Sequence, residues 1–336
     1  MAIILAIESS CDETSVAIIK NGKLLSNAIA TQIAMHRKYG GVLPEIASRL
    51  HNENIIVVLN EALKQAKIKL DDVDAIAVTR GPGLIGALHV GLQAAKTLSM
   101  IYHIPLIPVH HLAGHIYAGE FVKKFKYPLL SLVVSGGNTE LVLMKKHLDF
   151  KIIGETKDDA IGECFDKVAR TLGLPYPGGL PIDQKAKLGK HTYKLPTPLQ
   201  GKGYDFSYSG LKTSVINLVN QEKMKHHKIN VNNLCRSFED TAVDMVVDKT
   251  IKAAKEFKVK QIVLAGGVSA NSYLRNEVIR KLKNSGIDLV LPPLWCTTDN
   301  AAMIAKIAEH LYKEKLFAPL SLGVDPNWKI DKYRVF

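Results

Sequence analysis

Two histidines, His111 and His115, have the type and spacing that point most directly to chemistry; they lie in the stretch PVHHLAGHIY. On a helix, residues four apart lie on the same face one turn apart, close enough to share one metal ion. A third ligand has to come from elsewhere, and the strongest candidate is Asp299 in the stretch WCTTDNAAMIA. Two histidines and one carboxylate with open coordination positions suit Fe(II) or Zn(II), between which the sequence does not choose.

The histidine spacing also raises two alternatives. In H-E-x-x-H zinc peptidases a glutamate between the histidines acts as general base. Here the intervening residues are Leu112, Ala113 and Gly114, so that base is missing and a metallopeptidase is a minor alternative. The other is a nucleotide-dependent regulatory or chaperone-like module whose metal is purely structural. The histidine pair argues against it, because a nucleotide switch needs no such ligands.

Two glycine turns are candidates for binding a nucleotide. Ser135–Asn138 and Gly266–Asn271 each follow an apolar, strand-like run. Small residues there let backbone N–H groups approach phosphate or ribose oxygens. Two further acidic residues each allow two interpretations. Asp166 either accepts a hydrogen bond from a ribose hydroxyl or forms an ion pair with Arg170. Asp183 is either a helix cap or a ligand contact.

The elements that position these residues repeat in two halves. Segments 4–19 and 130–144 share one order: an apolar strand, a serine, a short turn, a threonine and a second apolar strand. Each half continues with helices and further strands, which predicts two α/β lobes with a ligand cleft between them. A single doubly wound sheet is the alternative. Segment 173–210, rich in proline and glycine, is predicted as a loop insertion with a short helix.

Composition indicates a globular protein with a polyanionic partner. The 336 residues include 44 Lys and Arg against 32 acidic residues, a formal charge of +12, which favours nucleic acid or a membrane surface. Basic clusters occur at 36–38, 123–126 and 223–228, although most charge runs are simply solvated. Four widely spaced cysteines indicate a reducing compartment. With neither a signal peptide nor an apolar run of membrane-spanning length, the sequence predicts a cytoplasmic protein without membrane contact.

Eight ordered motifs closely resemble the TsaD family of tRNA threonylcarbamoyladenosine transferases, formerly called glycoproteases or O-sialoglycoprotein endopeptidases. They are ESSCDETS (8–15), YGGVLPEIASRLH (39–51), RGPGLIGAL (80–88), PVHHLAGH (108–115), VSGGNTEL (134–141), GECFDKVARTLGLPYPGG (162–179), FSYSGLKT (206–213) and AGGVSAN (265–271). The resemblance implies the α/β fold of actin-like ATPases, sugar kinases and Hsp70. We expect one lobe from residues 1–107 and 300–336, and a second, 108–299, with the metal and nucleotide sites.

The resemblance also implies an activity and its partners. The expected acyltransferase reaction moves a threonylcarbamoyl group from threonylcarbamoyl-AMP to N6 of the adenosine 3′ of the anticodon, in tRNAs reading codons that begin with A. AMP is released. The expected partners are tRNA, a metal-free TsaB-like paralogue and a TsaE-like P-loop ATPase. The expected cofactor is one divalent metal, Fe(II), with Zn(II) as the alternative.

Carried over motif by motif, the resemblance implies the site residues. The implied metal ligands are His111, His115 and Asp299. The residues implied to hold the intermediate are Val134, Ser135, Gly136, Gly137, Asn138, Asp166, Gly179, Asp183 and Asn271. No general base is assigned; the weak candidates are Glu8, Asp12 and His110.

One departure from the family pattern concerns the third ligand. The family usually has Cys-Thr-Asp-Asn, whereas this chain has Cys296-Thr-Thr-Asp299, with one extra threonine. Asp299 still precedes Asn300 and the final helix, where it is also a candidate N-cap. We therefore keep it as a ligand and expect Cys296 and the approaching loop to be displaced.

Overall fold

A computed structural model describes residues 2–333. It divides into two compact units: the first runs to Phe121 and resumes at Pro293, and the second is Val122–Pro292. These boundaries differ from the predicted 107/108 and 299/300. The physical reason is that the histidine segment packs on the last helix and on the first unit's sheet, so the proposed metal ligands belong to the first unit.

The first unit is built on a five-stranded sheet in the order β3-β2-β1-β4-β5. Its strands are β1 (Ile3–Glu8), β2 (Glu13–Lys20), β3 (Lys23–Thr31), β4 (Ala75–Gly81) and β5 (Leu106–His110). Its helices are α1 (Ile33–His36), α2 (Pro44–Ala66), α3 (Ile85–Tyr102), α4 (His111–Tyr117) and α10 (Ala301–Lys313). The first three strands pair antiparallel, and β1, β4 and β5 are parallel. Because helices cover the parallel strands, β1 is buried along its whole length, as its continuous apolar run predicts.

The second unit repeats this plan around a sheet in the order β10-β9-β6-β7-β8. Its strands are β6 (Leu129–Val134), β7 (Thr139–Met144), β8 (Phe150–Glu155), β9 (Gln261–Ala265) and β10 (Asp288–Val290). Its helices are α5 (Ile161–Thr171), α6 (Gly179–Ala186), α7 (Ser209–Met224), α8 (Val231–Glu256) and α9 (Ser272–Leu282). Here β6, β7 and β8 are antiparallel, and β6, β9 and β10 are parallel.

The two sheets confirm the predicted fold class. Reading from the hairpin strands outwards, β3-β2-β1-β4-β5 corresponds to β8-β7-β6-β9-β10, with the same pattern of antiparallel and parallel pairs. The structure therefore has two sheets of one topology, not the single doubly wound sheet of the alternative. Helix α6 lies in the predicted insertion. In the part of the chain that the structure describes, no helix combines the length and apolarity needed to cross a bilayer.

Candidate functional site

Helix α4 carries the two histidines and begins directly after strand β5. The preceding residue, His110, is its N-cap: its Nδ1 accepts from Leu112 N at 3.2 Å, and its Nε2 donates to the Trp328 carbonyl at 2.8 Å. Burial lowers the pKa of His110 to about 3, although the Trp328 carbonyl opposes this. His110 is therefore neutral with both ring nitrogens engaged, and the structure gives this candidate general base a capping role.

The three predicted metal ligands come together in the first unit. His111 Nε2 lies 3.4 Å and His115 Nε2 lies 3.1 Å from the same oxygen, Asp299 Oδ1. The two imidazole rings are nearly perpendicular, with centroids 4.7 Å apart. One ligand atom from each residue lies within 4.8 Å of the others, the arrangement in which three side chains can hold one ion.

Glu8, at the end of β1, contacts the other face of His111. Its Oε2 lies 3.1 Å from His111 Nδ1 and accepts from Thr79 Oγ1 at 2.5 Å, and its Oε1 accepts from Ser10 N at 2.6 Å. The carboxylate is fully buried. A histidine that donates Nδ1–H to a carboxylate presents the lone pair of Nε2 to a metal. This geometry gives Glu8, a weak candidate for general base, a positioning role.

The electrostatics of this cluster favour a bound cation. Burial alone would lower the pKa of His111, but Asp299 and Glu8 raise it well above its usual value. Burial would likewise raise the pKa of Asp299, yet attraction to the two histidines lowers it far below its ordinary range. Burial lowers the pKa of His115, which keeps that imidazole neutral. Two carboxylates thus attract one positive charge, and the donor set fits a divalent ion.

The loop before α10 accommodates the extra threonine without losing Asp299. Cys296 is buried with its Sγ 3.7 Å from the Asn300 amide, and Thr297 donates to the Leu294 carbonyl at 2.9 Å. Thr298 is exposed to solvent. The N-cap is Asn300, whose side chain accepts from Met303 N, so the prediction that Asp299 caps this helix is wrong. Capping by Asn300 leaves the Asp299 carboxylate directed at the histidines.

Asp12, the remaining weak candidate for general base, lies in the turn between β1 and β2. It is largely buried, and its carbonyl accepts from Gln32 N at 2.9 Å. Within residues 2–333, no hydrogen bond joins its carboxylate to His111, His115 or Asp299. Its role as a base stays a prediction.

The second unit brings the predicted glycine turns together at the carboxyl ends of β6 and β9. Ser135 Oγ accepts from Asn138 N at 3.1 Å, and the Ser135 carbonyl accepts from Gly162 N, at the start of α5, at 3.3 Å. Gly266 has φ +87°, and a Cβ on it would lie 2.4 Å from the Val134 carbonyl oxygen. Only glycine fits there, because the two turns approach backbone to backbone. Gly136 and Gly137, in contrast, face open space.

The polar residues of the predicted nucleotide site brace this surface. Asp166 Oδ1 accepts from Gly178 N at 2.6 Å, fixing the loop before Gly179; its contact with a ribose hydroxyl stays a prediction. Asp183 is buried and accepts from Ser272 Oγ at 2.6 Å and from Lys187 Nζ at 2.8 Å. Asn271 caps α9 by accepting from Leu274 N at 2.8 Å.

Glu239, in the middle of α8, was missed by the sequence reasoning. Its Oε1 accepts from Asn271 Nδ2 at 2.6 Å, which orients the amide. Burial raises the pKa of Glu239 to about 7, although the Asn271 hydrogen bond opposes this shift. A glutamate inside a long helix has no distinguishing spacing, and only tertiary structure places it beside the turn.

Comparison with known proteins identifies the chain's relatives. A family model described as TsaD, tRNA N6-adenosine threonylcarbamoyltransferase, matches residues 23–306. A protein of that name from Listeria welshimeri is 56% identical over 307 residues, which cover 90% of this chain and 89% of the relative. Another, from Bacillus anthracis, is 52% identical over 332 residues, covering 98% of this chain and 97% of the relative.

Distant solved structures share the fold. HypF from T. kodakarensis superposes with a TM-score of 0.65 at 14% identity, covering 94% of this chain and 48% of HypF. The activator of 2-hydroxyisocaproyl-CoA dehydratase from Clostridium difficile, solved with bound ADPNP, gives a TM-score of 0.53 at 14% identity, covering 96% and 99% of the two chains. At this identity the likeness shows the fold alone.

Proposed function

The chain belongs to the TsaD family of tRNA N6-adenosine threonylcarbamoyltransferases, and from that membership we propose the details of its reaction. It takes the threonylcarbamoyl group from threonylcarbamoyl-AMP and forms a bond from the carbamoyl carbon to N6 of the adenosine 3′ of the anticodon. The bond to the AMP phosphate breaks, and AMP leaves. The substrates are tRNAs that read codons beginning with A.

His111, His115 and Asp299 hold one divalent metal in this proposal, Fe(II), with Zn(II) as the alternative. The supporting observation is that both Nε2 atoms face one Asp299 oxygen while Glu8 contacts His111 from behind. A bound ion would supply orientation of the donor and stabilisation of negative charge. Glu8 sets the His111 tautomer, so the ring nitrogen that faces Asp299 is the one free to bind.

The donor nucleotide binds on the second unit in this proposal. Its residues are Val134, Ser135, Gly136, Gly137, Asn138, Asp166, Gly179, Asp183 and Asn271. The support is that the side-chain positions of Gly136 and Gly137 face open space, while Asp183 and Asn271 are held by fixed hydrogen bonds. Rigid donors around a bound substrate favour catalysis by positioning and electrostatic preorganisation.

No cysteine nucleophile takes part in the proposed reaction. The donor is a mixed carbamic-phosphoric anhydride and is already activated, so a covalent enzyme intermediate offers no advantage. Burial raises the pKa of the Cys235 and Cys296 thiols to about 12 and raises that of Cys11 and Cys164 as well. Thiols with raised pKa are poor nucleophiles near neutral pH.

The proposal extends to partners and location. By family, a metal-free TsaB-like paralogue and a TsaE-like P-loop ATPase act with this chain, and the reaction takes place in the cytoplasm. The enzyme is given threonylcarbamoyl-AMP, tRNA and these partners, and modified adenosine is measured after nuclease digestion. We expect modification by the wild type and loss of at least about 100-fold for His115→Ala or Asp299→Asn. Absence of modified adenosine with the wild type refutes the activity, and wild-type rates in both variants refute the metal assignment.

A further inference from the structure

Six lysines of the second unit, Lys123, Lys124, Lys126, Lys255, Lys258 and Lys260, form what we call the lysine patch. Four of them, all except Lys123 and Lys124, line a concavity of about 550 Å³. They come from the segment before β6, the end of α8 and the turn into β9. The sequence showed only the lysines of 123–126 as a basic cluster, and folding adds Lys255, Lys258 and Lys260.

The charge of this patch is largely uncompensated. Asp288 is the single acidic residue among those described in the wall, and its Oδ2 lies 3.0 Å from Lys123 Nζ and 2.6 Å from Lys126 Nζ. Within residues 2–333, the other four lysines have no carboxylate partner, and all four are exposed. The neighbouring Glu256 accepts a hydrogen bond from Tyr204. Asp288 and Glu256 together place two carboxylates against six ammonium groups, which leaves a net positive surface.

The other two basic clusters carry fewer lysines. In the first, His36 is fully buried, with Nε2 3.1 Å from Gln32 Oε1. In the third, Lys225 and His227 share the carboxylate of Glu222 at 3.6 Å and 3.1 Å, and Lys223 and Lys228 are exposed. The lysine patch differs from both because folding adds lysines from a second segment and the combined set lines a concavity.

We propose that the lysine patch binds backbone phosphates of the tRNA substrate; this rests on the proposed function. Ammonium groups on flexible stems make point-charge contacts with phosphates and read no base sequence. Such contacts fix the register of a nucleic acid on a protein. A surface of this kind suits an enzyme that has to bind many tRNAs of different sequence.

The location of the patch indicates which part of the tRNA it contacts. It lies at the amino ends of β6 and β9, whereas the glycine turns lie at their carboxyl ends. Strands of six and five residues separate the two ends by roughly 17–20 Å. An A-form RNA stem, which rises somewhat less per base pair than the ~3.4 Å of DNA, spans this distance in roughly six to seven base pairs. With the target adenosine at the turns, the patch contacts the stem and not the reacting loop.

The test compares two triple charge reversals in the full chain. The patch variant carries Lys255→Glu, Lys258→Glu and Lys260→Glu; the matched control carries Lys223→Glu, Lys225→Glu and Lys228→Glu, with the same change in net charge. Dissociation constants for unmodified tRNA are measured from 50 to 200 mM salt. If each lysine makes one phosphate contact, the slope of log K against log salt falls by about 2–3 in the patch variant. Affinity at 0.1 M salt falls on the order of 100-fold, and the control stays within about threefold of the wild type.

Several outcomes decide between this proposal and its alternatives. Equal tRNA binding by the two variants overturns it, as does a patch variant that keeps the wild-type salt slope. The alternative is a site for small anions: if the concavity binds inorganic phosphate and the patch variant keeps its tRNA affinity, the tRNA proposal is overturned as well. In the transferase assay, the loss is expected in KM for tRNA and not in kcat. Because tRNA binding is measured without the donor, failure of the patch is distinct from failure of the proposed reaction.

Discussion

Replacing Glu8 by glutamine tests whether this carboxylate prepares His111 to bind a metal. The substitution keeps the size of the side chain, and one oxygen can still accept from Ser10 N as Glu8 Oε1 does at 2.6 Å. The new amide nitrogen then takes the place of the oxygen that lies 3.1 Å from His111 Nδ1. In this orientation of the amide two N–H donors would face each other, so the proton of His111 moves to Nε2, the atom that faces Asp299; the opposite orientation would set the amide N–H against Ser10 N.

The expected effect of Glu8→Gln is a loss of metal affinity of about 10–100-fold, typical of removing an outer-shell partner. This equals about 1.4–2.8 kcal/mol of binding free energy. Zinc and cobalt affinities are measured by competition with a chromogenic chelator, and thermal unfolding confirms that the variant folds.

The matched control is Glu309→Gln, in the same unit. Glu309 is also buried, but it contacts Lys306 at 3.4 Å and the backbone N–H of Gly22. This control should bind metal like the wild type. If the two variants have equal metal affinity, Glu8 does not set the tautomer of His111.

Three further predictions concern pH, the glycine turns and the helix cap. Because the folded pKa of His111 is raised above its unfolded value, the ion-free protein should lose stability as pH rises through that folded pKa. Zinc affinity should increase over the same range, because the proton leaves His111. Unfolding and zinc titrations between pH 5 and 9 measure the two quantities, and stability and zinc affinity that change in the same direction would contradict this assignment. Gly266→Ala should lower the free energy of unfolding in urea by about 2–4 kcal/mol, because Gly266 has a positive φ and contacts the Val134 carbonyl. The control Gly267→Ala, with open space around it, should lower it by less than about 1 kcal/mol. Equal losses would show that the two turns do not meet closely. His110→Ala should lower the free energy of unfolding by about 2 kcal/mol by leaving a buried carbonyl unpaired, yet retain zinc binding; loss of zinc at unchanged stability would assign it to the metal site instead.

Local patterns predicted much of the fold. Strands β6 and β7 form the hairpin predicted around segment 130–144, and β9 is the apolar run predicted before Gly266, because a buried strand is a continuous apolar run bounded by turn residues. Strand β8 was not predicted: it alternates buried and exposed positions weakly, and it contains Gly154. The first domain boundary lies later in the structure than the predicted 107/108, because it depends on which sheet α4 packs against, and no local pattern contains that information.

The candidate site divides in the same way. The spacing of His111 and His115 is local, so the sequence shows it directly. The contribution of Asp299 depends on a contact across 184 residues of sequence; the sequence offered Asp299 as the strongest candidate, but no local pattern shows that contact. Glu8 appeared in the sequence as the first residue of ESSCDETS and as a weak candidate for general base, and its hydrogen bond to His111 joins residues 103 apart. Contacts of this kind follow from strand order, which periodicity does not encode.

Gly114, between the two histidines, has a consequence for which ions the site accepts. A Cβ on this residue would lie 2.8 Å from Ile304 Cδ1 and 3.3 Å from Met303 Cγ, so α4 and α10 approach each other across a position without a side chain. One helix carries both imidazoles and the other begins just after the carboxylate. The close approach of α4 to α10 at Gly114 therefore contributes to the spacing of the three donor atoms that would surround an ion.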